Sequence, residues 1–299
     1  MNAALDRFFA ADSLFSKRFF FLAKRFVAGA TIETAIEAVR RINASGMTAT
    51  LDFLGEDVLH ASAAAHAREV YFAMLDAIAQ SGVKTNVSVK LTAMGLLIDE
   101  DLAFENLCAI LQRAQSVVPD PFVRIDMEGS AVTEATLRVF ERAFARHSNV
   151  GPVLQAYLKR TPADVERAIA LGARVRLCKG AYNEPPSIAF KAMHDIREQY
   201  LRCAQRLLVE GNYPGIATHD RRLIASVRSF AADRGIGSDR FEFQMLYGVR
   251  PAVQRQLVDA GYRLRIYVPF GTHWAGYFYR RVAERRENAL FALSSMFGR

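Results

Sequence analysis

Short strand-like runs alternate with longer helical stretches along this chain, and this alternation limits the possible folds more than any other feature. The helical stretches, such as residues 57–80, 99–116 and 133–146, carry apolar residues three and four positions apart. The strand-like runs lie at residues 47–54, 86–92, 122–128, 153–158, 174–179, 215–218, 241–246 and 264–269. Such alternation favours parallel strands joined by right-handed crossovers, and eight units predict an α/β fold, a closed (β/α)8 or TIM barrel.

Helix-start signals agree with this pattern. Thr161 is followed by Pro162 and by an acid in the first turn, which predicts Thr161 as an N-cap, and Asp99 and Thr133 are predicted to cap helices in the same way. No proline-rich or glycine-rich linker divides the chain. We therefore expect one domain overall, in which N-terminal helices within residues 1–45 pack on a catalytic barrel formed by residues 46–299.

Charge and cysteine content restrict the partners of the protein. The formal net charge is +8, but the charges are scattered and no Lys/Arg run is typical of a nucleic-acid arm, so no nucleic-acid partner is predicted. A solvated basic surface is the simplest interpretation, and an anionic ligand or membrane surface is the alternative. The three cysteines form no CxxC motif, which argues against a zinc site or disulfide framework and fits a reducing compartment such as the cytoplasm. The Phe-rich stretch near residue 20 is interrupted by basic residues and is typical of an amphipathic helix rather than a secretory signal.

The carboxyl ends of the predicted strands are unusually polar. In a β/α barrel these ends converge on one face, where binding and catalytic residues lie. The polar residues at seven of the eight ends are Lys90, Asp126, Glu128, Gln155, Arg176, Lys179, Thr218, His219, Asp220, Gln244 and Tyr267. This concentration predicts a large site at the mouth of the barrel.

Several of these residues leave more than one interpretation open. Arg176 would be costly inside a barrel unless it pairs with a ligand anion or, structurally, with Asp126 or Glu128. Lys90 is compatible with a Schiff-base lysine, a carboxylate clamp or an ion-pair partner. His219 has no second histidine at metal-ligand spacing, so we predict no metal and favour a phosphate or cofactor contact.

A pair of adjacent arginines follows the eighth strand. Arg280 and Arg281 open a helical stretch that could lie over the barrel mouth, where two guanidinium groups would clamp a carboxylate or phosphate. Glu284, four residues after Arg280, could hold that side chain in place. A solvated helix face is the alternative. No GxGxxG, P-loop or GxSxG motif is present in the sequence.

Taken together, these segments resemble the proline dehydrogenase family, the flavoenzymes of proline catabolism, from about residue 47 to the C-terminus. Each segment alone is weak, but their order and spacing make the resemblance specific. The segments are SVKLT at 88–92, RIDME at 124–128, LQAYLKR at 154–160, RLCKGAY at 176–182, ATH at 217–219, FQMLYG at 243–248, RIYVP at 265–269 and YRR at 279–281.

The resemblance implies a distorted barrel that holds non-covalent FAD at the strand ends, beneath a final helix. Arg280 and Arg281 would grip the carboxylate of L-proline with Lys90 as a third cation, and Asp126 would order this charged cluster. Leu246 and Tyr267 would pack against the proline ring. Arg176 would lie near flavin N5, and the other implied FAD contacts are Met127, Gln155, Lys179, Gly180, Ala181, Tyr182, Thr218 and His219.

The implied reaction is the oxidation of L-proline to Δ1-pyrroline-5-carboxylate by hydride transfer from C5 to FAD N5. A quinone would reoxidise the flavin, with peripheral contact to the inner face of the membrane. Because the chain ends soon after the arginine pair, a separate pyrroline-5-carboxylate dehydrogenase is expected downstream. The open alternatives are a relative acting on 4-hydroxyproline, against which Tyr267 argues, a Schiff-base aldolase using Lys90 or Lys179, and a nucleic-acid binder.

Overall fold

A computed structural model of the protein describes residues 25–274 and Tyr277. Within this part of the chain, eight parallel strands pair in sequence order and close into a barrel, since β1 also pairs with β8. The predicted barrel is therefore confirmed. The strands are β1 (Thr48–Phe53), β2 (Thr85–Lys90), β3 (Val123–Asp126), β4 (Val150–Gln155), β5 (Arg176–Cys178), β6 (Gly215–Ala217), β7 (Glu242–Leu246) and β8 (Leu264–Phe270).

The fourth strand differs from its prediction. It begins three residues before the predicted run 153–158 and ends at Gln155. Its first half contains Gly151 and Pro152, which are depleted in strands and so weaken the sequence signal. In the barrel the glycine is required, because a Cβ at Gly151 would lie 2.1 Å from the carbonyl oxygen of Arg174 on the neighbouring segment.

Helices occupy the connections between strands. The first precedes β1 and packs against β1 and β8, and the others each link two successive strands. In the described residues they are α1 (Ile32–Ala44), α2 (Ala61–Ser81), α3 (Glu100–Val117), α4 (Ser130–Phe144), α5 (Thr161–Ala170), α6 (Met193–Glu210), α7 (Arg221–Asp233) and α8 (Pro251–Asp259).

One of the three predicted helix caps is confirmed and two are wrong. The Asp99 carboxylate accepts a hydrogen bond from the Leu102 amide, as an N-cap should. Thr133 lies inside α4, which begins at Ser130 after the N-cap Gly129. Thr161 is the first helical residue of α5, and its hydroxyl donates to the Gln155 carbonyl at 2.5 Å instead of capping. A cap and a first-turn residue share similar sequence signals, so tertiary contacts decided between them.

The two faces of the strands differ in chemistry although both are buried. On β2, Val87 and Val89 are fully buried among the surrounding helices, whereas the intervening Ser88 and Lys90 are buried in the polar lumen. The same alternation on β3, β5, β7 and β8 lines the lumen with ionisable and amide groups. The helices thus enclose an apolar layer, and the barrel lumen holds a polar one.

Some expectations concern other parts of the chain. The helices predicted before residue 25, the final helix over the barrel mouth, and Arg280, Arg281 and Glu284 lie outside the described residues. No helix within residues 25–274 is both long and apolar enough to cross a membrane.

Candidate active site

The carboxyl ends of the strands bring the predicted polar residues together. Lys90, Asp126 and Gln155 are the last residues of β2, β3 and β4, and Leu246 is the last residue of β7. Parallel pairing places Lys90 opposite Asp126, and Leu246 opposite Tyr267. Because all strands run in one direction, these side chains share the same end of the barrel.

Lys90 forms an ion pair with Asp52, an acid that is not among the residues predicted from the sequence. The ammonium Nζ of Lys90 donates to both carboxylate oxygens of Asp52, at 2.9 and 2.8 Å. Asp52 is fully buried near the end of β1, the one strand for which the sequence predicts no polar end. The signal available in the sequence was a single acid inside the apolar run Leu51-Asp52-Phe53-Leu54.

Asp126 lies at the centre of the buried polar cluster. Its Oδ1 accepts from Arg176 Nη1 at 2.7 Å and from the Ser88 hydroxyl at 2.6 Å. Its Oδ2 accepts from the Tyr267 hydroxyl at 2.7 Å and lies 3.7 Å from Lys90 Nζ. Asp126 therefore joins two cations and a phenol from three other strands. Of the two alternatives left open for Arg176, the structural pairing with Asp126 is present.

Electrostatics keep this cluster charged at neutral pH. Burial alone would lower the pKa of Lys90, but the carboxylates of Asp52 and Asp126 raise it well above its usual range. Burial raises the pKa of Asp52 to about 6, against the opposing effect of Lys90. Burial also acts to raise the pKa of Asp126, but Arg176 and Lys90 outweigh it and the pKa is lowered. Lys90 therefore stays protonated at neutral pH. This disfavours the Schiff-base interpretation, because that chemistry needs a neutral amine.

The rim beyond β5 and β6 holds a second ion-pair group. Lys179 Nζ donates to Asp220 Oδ2 at 2.6 Å, and Arg197 Nε donates to the same oxygen at 2.7 Å. Asp220 also caps α7 through the Arg222 amide. Burial opposes ionisation, but the Lys179 and Arg197 hydrogen bonds lower the pKa of Asp220 to about 2. The predicted cofactor residue Lys179 is thereby held at the rim with its side chain partly exposed.

Thr218 and His219 occupy the same rim in defined orientations. The Thr218 hydroxyl accepts from the Asp220 amide at 3.0 Å. Nε2 of His219 accepts from the Leu246 amide at 2.9 Å, so this nitrogen carries no proton and the neutral ring is protonated on Nδ1. Residues 25–274 contain no group of three or more His, Cys, Asp or Glu side chains that could hold a metal ion.

The segment after β5 offers donors that fit an FAD molecule. Within the described residues, the amide nitrogens of Gly180 and Ala181 donate no hydrogen bond, and both residues are partly exposed. Arg176 uses Nε and Nη1, and no described residue accepts from its Nη2. Free amides beside a lysine suit a diphosphate, and a free guanidinium nitrogen suits a flavin acceptor atom. The residues present therefore fit the cofactor that the resemblance implies.

The remaining residues implied to hold FAD or substrate also lie at this mouth. Met127 directly follows β3 and is buried, and Gln155 Nε2 donates to the Glu128 carbonyl at 2.9 Å. Tyr182 follows Ala181 on the same partly exposed segment. Tyr267 and Phe26 are partly buried and pack against a small apolar cluster, whose members are Val27, Leu54, Trp274 and Tyr277.

Gly180 is predicted to be intolerant of a side chain. It has φ +116, and a Cβ would lie 2.2 Å from the Tyr157 ring, so Gly180→Ala should destabilise the protein by about 2–3 kcal/mol. Gly82→Ala is the matched control: φ is +64, but nothing lies within 4 Å of the added Cβ, and about 1 kcal/mol is expected. Urea unfolding compares the two variants. Equal losses of unfolding free energy in the two variants would show that the contact with Tyr157 does not exclude a side chain at residue 180.

Glu128 is a buried acid next to the site. Its carboxylate accepts from the amide and hydroxyl of Thr92, at 3.1 and 2.6 Å. Burial raises its pKa from 4.5 to about 7, against the opposing effect of the Thr92 hydrogen bonds. A carboxyl with a raised folded-state pKa binds its proton more tightly when folded, so its contribution to stability is present below pH 4.5 and is lost as pH rises to about 7.

We therefore expect a pH-dependent difference between the wild type and Glu128→Gln. The wild-type free energy of unfolding should lose about 3 kcal/mol from this group between pH 4.5 and 7. Glu128→Gln keeps an acceptor for Thr92 but cannot ionise, so its decline over this range should be shallower. Urea midpoints at pH 5, 6, 7 and 8 test this, and parallel pH profiles would contradict the raised pKa.

Known proteins resemble the chain over most of its length. A family model described as proline dehydrogenase matches residues 35–293. Proline dehydrogenase 1 of Bacillus subtilis (strain 168) is 41% identical over 274 residues, covering 92% of this chain and 90% of that protein. Proline dehydrogenase of Deinococcus radiodurans is 38% identical over 290 residues, covering 95% and 93%.

Solved structures share the barrel. The crystal structure of proline utilization A (PutA) from Bdellovibrio bacteriovorus, inactivated by N-propargylglycine, matches with a TM-score of 0.84 and 26% identity. The match covers 91% of this chain but 33% of that chain, so the present chain spans about a third of that longer protein. A structure of Bradyrhizobium japonicum PutA matches with a TM-score of 0.77 and 26% identity, over 91% of this chain and 32% of that one.

Proposed function

The chain belongs to the proline dehydrogenase family, and we propose that its activity, the first step of proline catabolism, is the oxidation of L-proline to Δ1-pyrroline-5-carboxylate. FAD, bound non-covalently, would supply N5 as the acceptor for the hydride that leaves C5 of the substrate. The chain would supply binding, orientation and electrostatic stabilisation.

The observation that carries this proposal is the buried cluster of Lys90, Asp126, Arg176 and Tyr267 at the barrel mouth. The raised pKa of Lys90 keeps it protonated, which suits a substrate carboxylate. Arg280 and Arg281 would bind the same carboxylate, and Glu284 would support Arg280. The Tyr267 phenol is fixed by its hydrogen bond to Asp126, so its ring and Leu246 present apolar surface beside these charges. A small zwitterion with an apolar ring needs this combination.

The remaining mouth residues are assigned to the cofactor. Arg176 is paired with Asp126 and would place a positive charge beside the flavin, where it would stabilise developing negative charge. Lys179, which lies at the rim, is proposed to bind the diphosphate of FAD. The other proposed FAD contacts are Met127, Gln155, Gly180, Ala181, Tyr182, Thr218 and His219.

A visible absorption spectrum of the purified protein, recorded before and after anaerobic addition of L-proline, tests this proposal. We expect flavin bands that bleach with L-proline and stay unchanged with an equal concentration of acetate, which carries a carboxylate but no oxidisable ring. Bands that persist with L-proline would contradict the substrate. A colourless protein that cannot be reconstituted with FAD would contradict the cofactor. Faster bleaching with 4-hydroxyproline than with L-proline would show that 4-hydroxyproline is the preferred substrate.

We also propose a cellular context for the reaction. A quinone would be the final electron acceptor, and a cytoplasmic protein with a net charge of +8 would contact the anionic inner face of the membrane peripherally. Co-sedimentation with anionic quinone-containing vesicles at low salt tests this, and failure to sediment would contradict it. A separate pyrroline-5-carboxylate dehydrogenase is proposed to take the product. Residues 46–299 are proposed to form the catalytic barrel, with the helices of residues 1–45 packed on it.

A further inference from the structure

Gln244 connects the candidate active site to a buried ion pair deeper in the barrel. Its Oε1 accepts from Arg176 Nε at 2.5 Å, and its Nε2 donates to Glu242 Oε1 at 2.7 Å. Gln244 and Glu242 are two residues apart on β7, so both side chains face the lumen. All three side chains are almost completely buried.

The orientation of the Gln244 amide is set by its neighbours. Arg176 can only donate, and the Glu242 carboxylate can only accept. A flipped amide would place its NH2 group against the Arg176 donor and its oxygen against the carboxylate. The amide therefore has one stable orientation, with its oxygen towards Arg176.

Glu242 is itself held in place from β8. Arg265 Nε donates to Glu242 Oε1 at 2.6 Å, and Arg265 Nη1 donates to the Ala49 carbonyl at 2.7 Å. Burial acts against ionisation of Glu242, but Arg265 lowers its pKa, so the carboxylate is charged at neutral pH. The acceptor at the far end of the Gln244 amide is therefore permanent and fixed.

A glycine on the intervening strand makes room for this contact. Gly215, the first residue of β6, pairs in register with Arg176 on one side and with Glu242 on the other. A Cβ at Gly215 would lie 2.3 Å from Gln244 Nε2. The strand thus omits a side chain at the point where the amide passes between the two charged residues.

We propose that Gln244 is a positioning residue, which fixes the plane of the Arg176 guanidinium at the active site with the help of Glu242 and Gly215. A planar guanidinium held only at Nη1 by Asp126 can rotate about that contact, and the second anchor at Nε removes this freedom. Nη2 is then presented in one direction. The catalytic consequence rests on the proposed function, in which Arg176 acts beside the flavin.

Two substitutions remove the second anchor in different ways. Gln244→Ala deletes the acceptor, and Gly215→Ala displaces the amide without removing any polar group. Both should lower kcat for L-proline by about 10- to 100-fold, because a small misplacement of a catalytic group has effects of this size. KM should change by less than about 3-fold, because neither residue touches the groups proposed to bind the substrate carboxylate. In the double variant the added methyl group occupies the space of the missing amide, so kcat should fall no further than in Gln244→Ala.

Asn106→Ala is the matched control. Asn106 is also a buried carboxamide that accepts from an arginine, Arg68 Nη1 at 3.2 Å, and donates to a carbonyl, that of Met94 at 2.9 Å. It lies on α3 and makes no contact with Arg176. Its loss should reduce stability and leave kcat within about 2-fold of the wild type. If kcat falls as much in Asn106→Ala as in Gln244→Ala, the loss in Gln244→Ala is explained by general destabilisation, and the proposal is overturned.

A second readout needs no catalysis. In 15N-edited NMR of the apoprotein, the Arg176 Nε–H should give a sharp, slowly exchanging resonance, assigned by its absence in Arg176→Lys. We expect this resonance to be lost or to exchange rapidly in Gln244→Ala and Gly215→Ala, and to persist in Asn106→Ala. Persistence in Gln244→Ala, or an unchanged kcat in that variant, would overturn the proposal. If the wild type does not oxidise L-proline, the proposed function fails instead, and the resonance still decides whether Gln244 holds Arg176.

Discussion

Asp126→Asn is expected to lower kcat/KM for L-proline by about two to three orders of magnitude, the size typical of losing one preorganised charged group at an active site. Asp126 is the shared anion of Arg176 and Lys90, and it accepts from the Tyr267 hydroxyl. Asparagine is nearly the same size, but it leaves the buried Arg176 without its carboxylate partner and removes the second negative charge beside Lys90. It also has one acceptor oxygen where aspartate has two, so it cannot accept from Ser88, Arg176 and Tyr267 as aspartate does. Steady-state kinetics with L-proline measure the effect.

Asp76→Asn provides the comparison for this variant. Asp76 also receives hydrogen bonds from an arginine, Arg113, at 2.6–3.0 Å, but these side chains are 34% and 41% exposed and lie on helices outside the barrel. Its removal should change kcat/KM by less than about 2-fold, because exposed ion pairs contribute little. If kcat/KM of Asp126→Asn is close to that of the wild type, the Asp126 carboxylate has no role in the proposed mechanism.

Asp52→Ala is expected to lower the free energy of unfolding by about 3–5 kcal/mol, because it leaves the Lys90 ammonium buried without its main partner. The side chains of Asp52 and Lys90 are 0% and 8% exposed, so water cannot replace the lost carboxylate. The pKa of Lys90 should fall, since burial then acts without the Asp52 charge. Urea unfolding at pH 7 measures the stability loss.

Two further variants separate the buried charge from other effects of Asp52→Ala. Asp101→Ala removes the partner of Arg142 in an ion pair whose side chains are 71% and 43% exposed, and less than about 1 kcal/mol is expected. Asp52→Ala combined with Lys90→Met removes both charges and should recover much of the lost stability. A double variant as unstable as Asp52→Ala would show that cavity formation, and not the unpaired ammonium, causes the loss.

Charged side chains that alternate in sign line the barrel lumen. A lone buried charge is costly, but each of these groups contacts one of opposite sign or the amide of Gln244, which relays between Arg176 and Glu242. Removing any one member therefore affects its neighbours on both sides. In order, the charged members are Asp52, Lys90, Asp126, Arg176, Glu242 and Arg265.

The polar residues predicted near strand ends lie together in the structure, because parallel strands of a closed barrel all end on the same face. Lys90, Asp126 and Gln155 lie within the predicted runs 86–92, 122–128 and 153–158, and each is the last residue of its strand in the structure. Asp52 was missed because a single acid inside an apolar run carries no periodic signal. Glu242 and Arg265 were missed as members of the cluster because they lie below the strand ends.

The sequence by itself determined the order of strands and helices, the closed barrel and the face that carries the candidate site, since periodicity and strand direction are local properties of the chain. Only the tertiary structure decided which charges pair. Lys90 binds Asp52 across 38 positions, Arg176 binds Gln244 across 68, and Tyr267 binds Asp126 across 141. These partners are set by the register between strands and by the closure of β1 on β8, which a pattern within one segment does not encode.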